Sequence, residues 1–232
     1  MGQVPLERAL SKLGQMSRSQ TKRMIEEGRL AVNGRVIKDP TFPVIPEKIR
    51  ITIDGKAIGR ADSCTLMLYK PRGVVTTKSD EKGRRTVYDL LPANLRHLHP
   101  VGRLDMATTG LLVMTTDTQL SNFLTDPKNQ IPRIYAVSVV GKITEEAIKQ
   151  LSEGIHDKGE VLKAKSVTLR KTSHKESHLM IELIEGKNRE IRRMFEALGS
   201  EVTALKRIVF GKLKLGSLEP GQFQEINNKE II

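Results

Sequence analysis

The sequence predicts an α+β fold in two parts: a small basic domain over residues 1–60, and a larger domain over residues 61–232 with a mostly antiparallel, mixed sheet flanked by helices. Three observations predict it. Segments of strand character outnumber helical ones and are joined by short or hairpin-like connections, which is the pattern of an antiparallel sheet with helices packed on it. Residues 1–60 hold twelve Lys or Arg against six acids, so about a quarter of the chain carries half of the net charge of +12. A short polar stretch, Gly59 to Ser63, precedes the apolar run Thr65 to Tyr69 and marks the boundary.

The elements follow in chain order. Leu6, Ala9, Leu10 and Leu13 recur at helical spacing and stop at Gly14. Ser17 and Gln20 form a capping box for a second helix whose apolar face is Met24 and Ile25 and whose exit is Gly28. Leu30 and Val32 lead into Asn33-Gly34, and Ile49, Ile51 and Ile53 alternate before Asp54-Gly55; both dipeptides favour two-residue hairpin turns. In the larger domain strands are predicted at Gly110 to Thr115, Ile134 to Val140, Val161 to Leu169, His178 to Leu183 and Val202 to Phe210. Helices are predicted near Gln119 to Thr125, Glu145 to Glu153 and Asn188 to Leu198.

Composition narrows the function. With 232 residues and 38% hydrophobic content the chain can bury a sizeable core. No apolar run approaches the roughly 18 residues of a membrane span, and Met1 to Arg8 lacks the apolar centre of a secretory signal, so a cytoplasmic protein is expected. The excess of Lys and Arg points to a polyanionic partner, with nucleic acid first. Tryptophan is absent and aromatics are 3%, which argues against recognition by successive stacking platforms. A single cysteine, Cys64, excludes an internal disulfide, and His97 and His99 have no neighbouring carboxylate or cysteine cluster to complete a metal site, so no metal is expected.

Five segments carry specific resemblances. Arg18 to Gly34, RSQTKRMIEEGRLAVNG, resembles the S4-type RNA-binding domain of ribosomal proteins and rRNA-modifying enzymes, which implies an αL-like fold docking on structured RNA. Arg18, Lys22, Arg23, Arg29 and Arg35 are its expected RNA contacts. The second segment is Pro100 to Asp117, PVGRLDMATTGLLVMTTD, where a glycine-bearing turn delivers Arg103 and Asp105 just before an apolar strand. By residue type alone, an Arg and an Asp two apart on a turn more often make a local salt bridge than a catalytic site. Gly102-Arg103-Leu104-Asp105 followed by Thr109-Gly110-Leu111-Leu112, however, resembles the signature motif of pseudouridine synthases, in particular the RsuA-type branch. Tyr69-Lys70-Pro71-Arg72-Gly73 resembles that family's first motif, Arg133 to Val137 its tyrosine motif, and Glu185 to Gly199 its third motif.

The resemblance implies an enzyme that isomerises a specific uridine of ribosomal RNA, with Asp105 as the catalytic carboxylate and Tyr135 packing against the uracil. It further implies that Arg192 pairs with Asp105, that Arg103 helps occupy the gap left by a flipped base, and that Leu205 lines the uracil pocket. Arg133 stands where many members have lysine. Lys70, Arg72, Lys187 and Arg189 are expected to contact RNA, and Gly186 to Arg189 ahead of a helix could cradle a substrate phosphate. The reaction breaks the N1–C1′ bond and rebuilds the link through C5, so nothing is oxidised and no cofactor is expected. The base must leave its stack, at a cost of a few kcal/mol. The expected partner is ribosomal RNA or a pre-ribosomal particle, engaged by a monomer, with a slight lean to the large-subunit RNA from the wording of the third motif, EGKNREIRRMF. An S4-bearing binding or assembly factor would use the same basic surface without chemistry, but a carboxylate in an RNA-facing turn repels phosphate and gives such a protein nothing. A base methyltransferase would need a glycine-rich strand-to-helix turn, and none is found.

Overall fold

A computed structural model of the chain describes residues 2–12, 18–58 and 64–231; the side chains of residues 11, 12, 18, 47 and 229 are outside the description. The chain forms two compact units, Met1–Cys64 with Thr116–Gln119, and Thr65–Thr115 with Leu120–Ile232. Leu13, Gly14 and Ser17, and the boundary expected within residues 59–63, lie outside the described residues.

In the first unit, helices α1 (Leu6–Lys12) and α2 (Arg18–Glu26) are followed by strands β1 (Leu30–Val32), β2 (Arg35–Val36), β3 (Ile51–Ile53) and β4 (Lys56–Ile58). The four strands form one antiparallel sheet in the order β2-β1-β3-β4. Both hairpin dipeptides behave as their chemistry requires, with left-handed backbone at Asn33 (φ 50°) and Gly34 (φ 84°) and at Asp54 (φ 49°) and Gly55 (φ 78°). Leu6, Leu10, Ile25, Leu30 and Ile51 are at most 1% exposed and make the core, so the 3.6-residue and two-residue apolar periods meet in one cluster.

The second unit is organised by a large mixed sheet. Its main strands are β5 (Thr65–Lys70), β6 (Thr109–Thr115), β7 (Arg133–Val140), β10 (Ser166–Thr172), β11 (Glu176–Leu183), β12 (Val202–Phe210) and β13 (Phe223–Glu225). A separate hairpin pairs β8 (Ile155–Asp157) with β9 (Glu160–Leu162). The spatial order is β10-β11-β7-β12-β6-β5-β13, and every pairing is antiparallel except β12 with β6. Helices α3 (Thr118–Thr125), α4 (Glu145–Glu153) and α5 (Glu190–Ala197) complete it. Thr144 caps α4 by accepting from the Ala147 N–H at 3.2 Å.

Burial explains the strand sequences. Residues 110 to 115 of β6 are all buried, so β6 reads as a continuous apolar run; β7 and β11 alternate buried and half-buried positions. One expected strand differs. Val161 to Leu169 splits between β9 and β10, because Lys158 (φ 51°) and Gly159 (φ 79°) form a tight turn that commits residues 160–162 to pairing with residues 155–157. That turn chemistry was not recognised in the sequence. Among the described residues no helix is long and apolar enough to cross a membrane.

Candidate active site

The turn over Val101 to Thr108 enters β6 and carries Asp105. Gly102 takes a left-handed conformation (φ 70°), and the Thr108 N–H donates to the Asp105 carbonyl at 3.0 Å, closing the turn. The Asp105 side chain is 41% exposed, open enough to meet a substrate. It lies on a cleft of about 460 Å³ lined also by Arg103, Tyr135, Lys187, Arg189, Arg192 and Leu205. Seven residues singled out from four separate sequence segments therefore converge on one cavity. Tyr135 on β7 and Leu205 on β12 are 9% and 8% exposed and give the cleft apolar wall. The β7–β12 register, in which Tyr135 faces Arg207 and Val137 faces Leu205, brings their strands side by side.

The ionic contact of Asp105 differs from the expected one. Arg189 Nη1 lies 3.7 Å from Asp105 Oδ2, whereas Arg192 turns its Nη1 to the Val202 carbonyl at 2.9 Å. The reason is local geometry. Arg189 is the residue before the first turn of α5, in left-handed conformation (φ 50°), and so projects away from the helix, while Arg192 sits within it. Arg192 nevertheless lies in the field of Asp105: burial lowers its pKa first, the neighbouring Arg189 adds to this, and the Asp105 charge opposes both. Its Nε is buried with no hydrogen-bond partner among the described residues.

Lys70 is not a surface contact for RNA. It is fully buried, with Nζ donating to the carbonyls of Val74 at 2.7 Å and Pro71 at 3.0 Å. Burial lowers its pKa to about 8, partly offset by Asp105. The lysine thus ties its own turn together from inside. Arg72 is exposed next to it.

The expected phosphate cradle at Gly186 to Arg189 is filled from within. The Lys187 N–H donates to Glu190 Oε2 at 3.1 Å, and Lys187 Nζ is committed to Glu185 Oε1 and the Val161 carbonyl, each at 2.7 Å. Glu190 is 3% exposed, and its pKa is raised, chiefly by burial and then by the nearby Glu185 charge. In the first unit, Lys22 and Arg23 are exposed and make i, i+4 contacts with Glu26 and Glu27 of 3.9 and 3.4 Å. Arg29 is bound by Asp54, at 2.6 Å from Nη2, and so anchors the Asp54-Gly55 hairpin. Arg35 is exposed on β2, and the Arg18 side chain lies outside the described residues.

Two buried cations were not found as site residues from sequence. Arg133 donates to the Leu124 and Ile131 carbonyls at 3.0 and 3.1 Å, and Arg207 donates through Nε to the Leu111 carbonyl at 2.7 Å. Both guanidinium groups lie over the Phe210 ring, at 5.2 and 4.7 Å from its centroid. The visible signal was period: Arg133 and Arg207 fall on the inward positions of their strands, where a cation has to find partners.

Comparison with known proteins agrees with this architecture. The family model for RNA pseudouridylate synthase matches residues 65–197, and that for the S4 domain matches residues 4–48. The chain is 34% identical over 228 residues to the ribosomal large subunit pseudouridine synthase B of Bacillus subtilis (strain 168), covering 97% of this chain and 93% of that protein. It is 35% identical over 217 residues to the protein of the same name from Escherichia coli (strain K12), covering 90% and 74%. A crystal structure of a pseudouridylate synthase superposes with a TM-score of 0.69 at 28% identity, over 98% of both chains. With the signature turn, the tyrosine strand and the third-motif helix gathered on one cleft, and an S4 domain matched at residues 4–48, the chain belongs to the RNA pseudouridylate synthase family of isomerases.

Proposed function

We propose that this chain converts one uridine of ribosomal RNA, in the large subunit, to pseudouridine, with Asp105 acting as nucleophile or base on a base flipped out of its stack. The observation that carries the reading is the position of Asp105: half-open on a cleft whose other walls include the buried Tyr135 and Leu205, with Arg189 3.7 Å away. The other carboxylates of that cleft are engaged elsewhere, Glu185 with Lys187 and Glu190 with the Lys187 N–H. Attack on the ribose or uracil ring, or removal of a proton, needs an accessible carboxylate, and Asp105 is the one on this cleft that is exposed to a substrate.

The residues divide the work as follows. Tyr135 and Leu205 present flat and apolar surface to the uracil and replace the stacking it loses on leaving the helix. Arg103, exposed beside Asp105, meets the RNA at the vacated position. Arg72 and the exposed cations of the S4 unit hold the phosphate backbone, a sequence-independent attraction that positions the target strand. The large-subunit assignment is supported by the names of the relatives at 34 and 35% identity.

Asp105→Asn preserves size and removes the nucleophile or base. Tritium release from 5-tritiated uridine RNA is expected to fall by at least about a thousandfold while RNA affinity stays near wild type. Turnover close to wild type would refute the role of Asp105. Pseudouridine mapping of both ribosomal RNAs from cells with and without the gene checks the target: loss of a large-subunit position is expected, and loss of a small-subunit position instead would overturn that part.

A further inference from the structure

We propose that Thr76 is a positioning residue for the catalytic carboxylate, because one hydroxyl holds both main-chain polar groups of the residue that precedes Asp105. Thr76 Oγ1 donates to the Leu104 carbonyl at 2.7 Å and accepts from the Leu104 N–H at 3.3 Å. Leu104 is 5% exposed, so water is a poor substitute for either bond. On the far side of Asp105, the Gly73 N–H donates to the Met106 carbonyl at 2.9 Å. The residues on either side of Asp105, Leu104 and Met106, are therefore both held by the loop that follows β5.

That loop is itself anchored. Lys70 binds the carbonyls of Pro71 and Val74 from inside, the Val75 N–H donates to the Arg85 carbonyl at 2.9 Å, and the Val87 N–H donates to the Val75 carbonyl at 3.0 Å. Gly73 reaches Met106 through a left-handed backbone conformation (φ 83°). The result is a clasp: residues 73 and 76 grip residues 106 and 104, and the carboxylate between them projects from a backbone with little freedom to turn. Thr76 is 28 positions from Leu104 in the chain, is uncharged and half-buried, and does not line the cleft. It acts on the reaction only through where Asp105 stands. A displacement of about 1 Å in a catalytic group can cost on the order of a hundredfold in rate, so a backbone clamp at this point has kinetic weight.

The inference rests on the reading of Asp105 as the catalytic carboxylate, and the test separates the two. Thr76→Val keeps shape and removes the hydroxyl; Thr76→Ser keeps the hydroxyl. Single-turnover rate at saturating RNA, RNA Kd and thermal midpoint are measured for both in the full chain, beside wild type and Asp105→Asn. Thr76→Val is expected to slow the single-turnover rate by about 30–100-fold with Kd within about twofold, and Thr76→Ser to recover the rate to within about threefold of wild type. A Thr76→Val rate within about threefold of wild type, equal losses in Val and Ser, or a loss confined to Kd would overturn the proposal. If Thr76→Val does not fold, Thr76→Ala is read by the same measurements against the same limits. An active Asp105→Asn overturns the assignment of Asp105 and the clasp with it, whereas an inactive Asp105→Asn beside a wild-type-like Thr76→Val overturns the clasp alone.

Discussion

Two arginines three residues apart face Asp105 in different ways, and burial decides what each is worth. Arg189 makes the direct 3.7 Å contact, but its side chain is 52% exposed, and an exposed ion pair of that length contributes about 0–1 kcal/mol. Arg192 is half-buried, with its Nε out of contact with water, and its charge acts on Asp105 through a less screened medium than that of Arg189. Arg192→Met is therefore expected to lower the single-turnover rate by about a hundredfold and Arg189→Met by about three- to tenfold, with RNA Kd changed more by Arg189→Met. A larger rate loss for Arg189→Met at saturating RNA would show that the direct contact dominates. Sequence spacing could bring both arginines to one helix end but could not choose between them, because the choice depends on the left-handed backbone at Arg189 and on the Val202 carbonyl that captures Arg192. Lys70 gives the same lesson more sharply. A lysine beside Pro71, Arg72 and Gly73 has the composition of a phosphate contact, yet the carbonyls of Pro71 and Val74 fold over it and make it an internal strut.

At the scale of elements, the parallel contact between β12 and β6 joins the strand of Leu205 to the strand that Asp105 introduces. It is short, with Lys206 facing Thr109 and Arg207 facing Gly110. Gly110 has φ 103°, and a Cβ placed there would lie 2.2 Å from the Arg207 carbonyl oxygen. Only glycine permits this approach. Gly110→Ala is expected to part the two strands, costing about 3 kcal/mol or more of stability and most of the activity; thermal denaturation and tritium release measure the two effects. A variant with the wild-type melting temperature would mean that the sheet yields easily there. The existence of β6 was plain from its apolar run, and its glycine was part of the recognised motif. Why a glycine stands at that position required the partner strand, nearly a hundred residues later in the chain.

For the whole molecule, the third-motif helix α5 places an acid where global stability should register it. Burial and the Glu185 charge raise the Glu190 pKa, and Lys187 and Arg133 are the cations facing it. Between the ordinary carboxylate range and the raised folded value, the folded state keeps a proton that the unfolded state has lost. Stability falls as pH rises through that window and stays lower above it. Glu190→Gln removes the titration, so the melting temperature of the variant minus that of wild type should be more positive at pH 8 than at pH 5. An equal difference at both values would mean that Glu190 is not penalised in its charged form. The same acid occupies the Lys187 N–H, which closes the expected phosphate cradle ahead of α5.

The sequence by itself determined the α+β class, the Asn33-Gly34 and Asp54-Gly55 hairpins, helices α3 to α5 to within a few residues, and the five segments whose order marks the family. These are properties of local period, turn chemistry and motif spacing, which need no distant partner. The tertiary structure alone decided that Lys70 is internal, that Lys187 is tethered, that Arg189 makes the contact with Asp105, and that Thr76 grips Leu104. Each of those depends on which backbone carbonyl, N–H or charge arrives from elsewhere in the chain, and a polar side chain's role is set by the partner it finds once water is excluded.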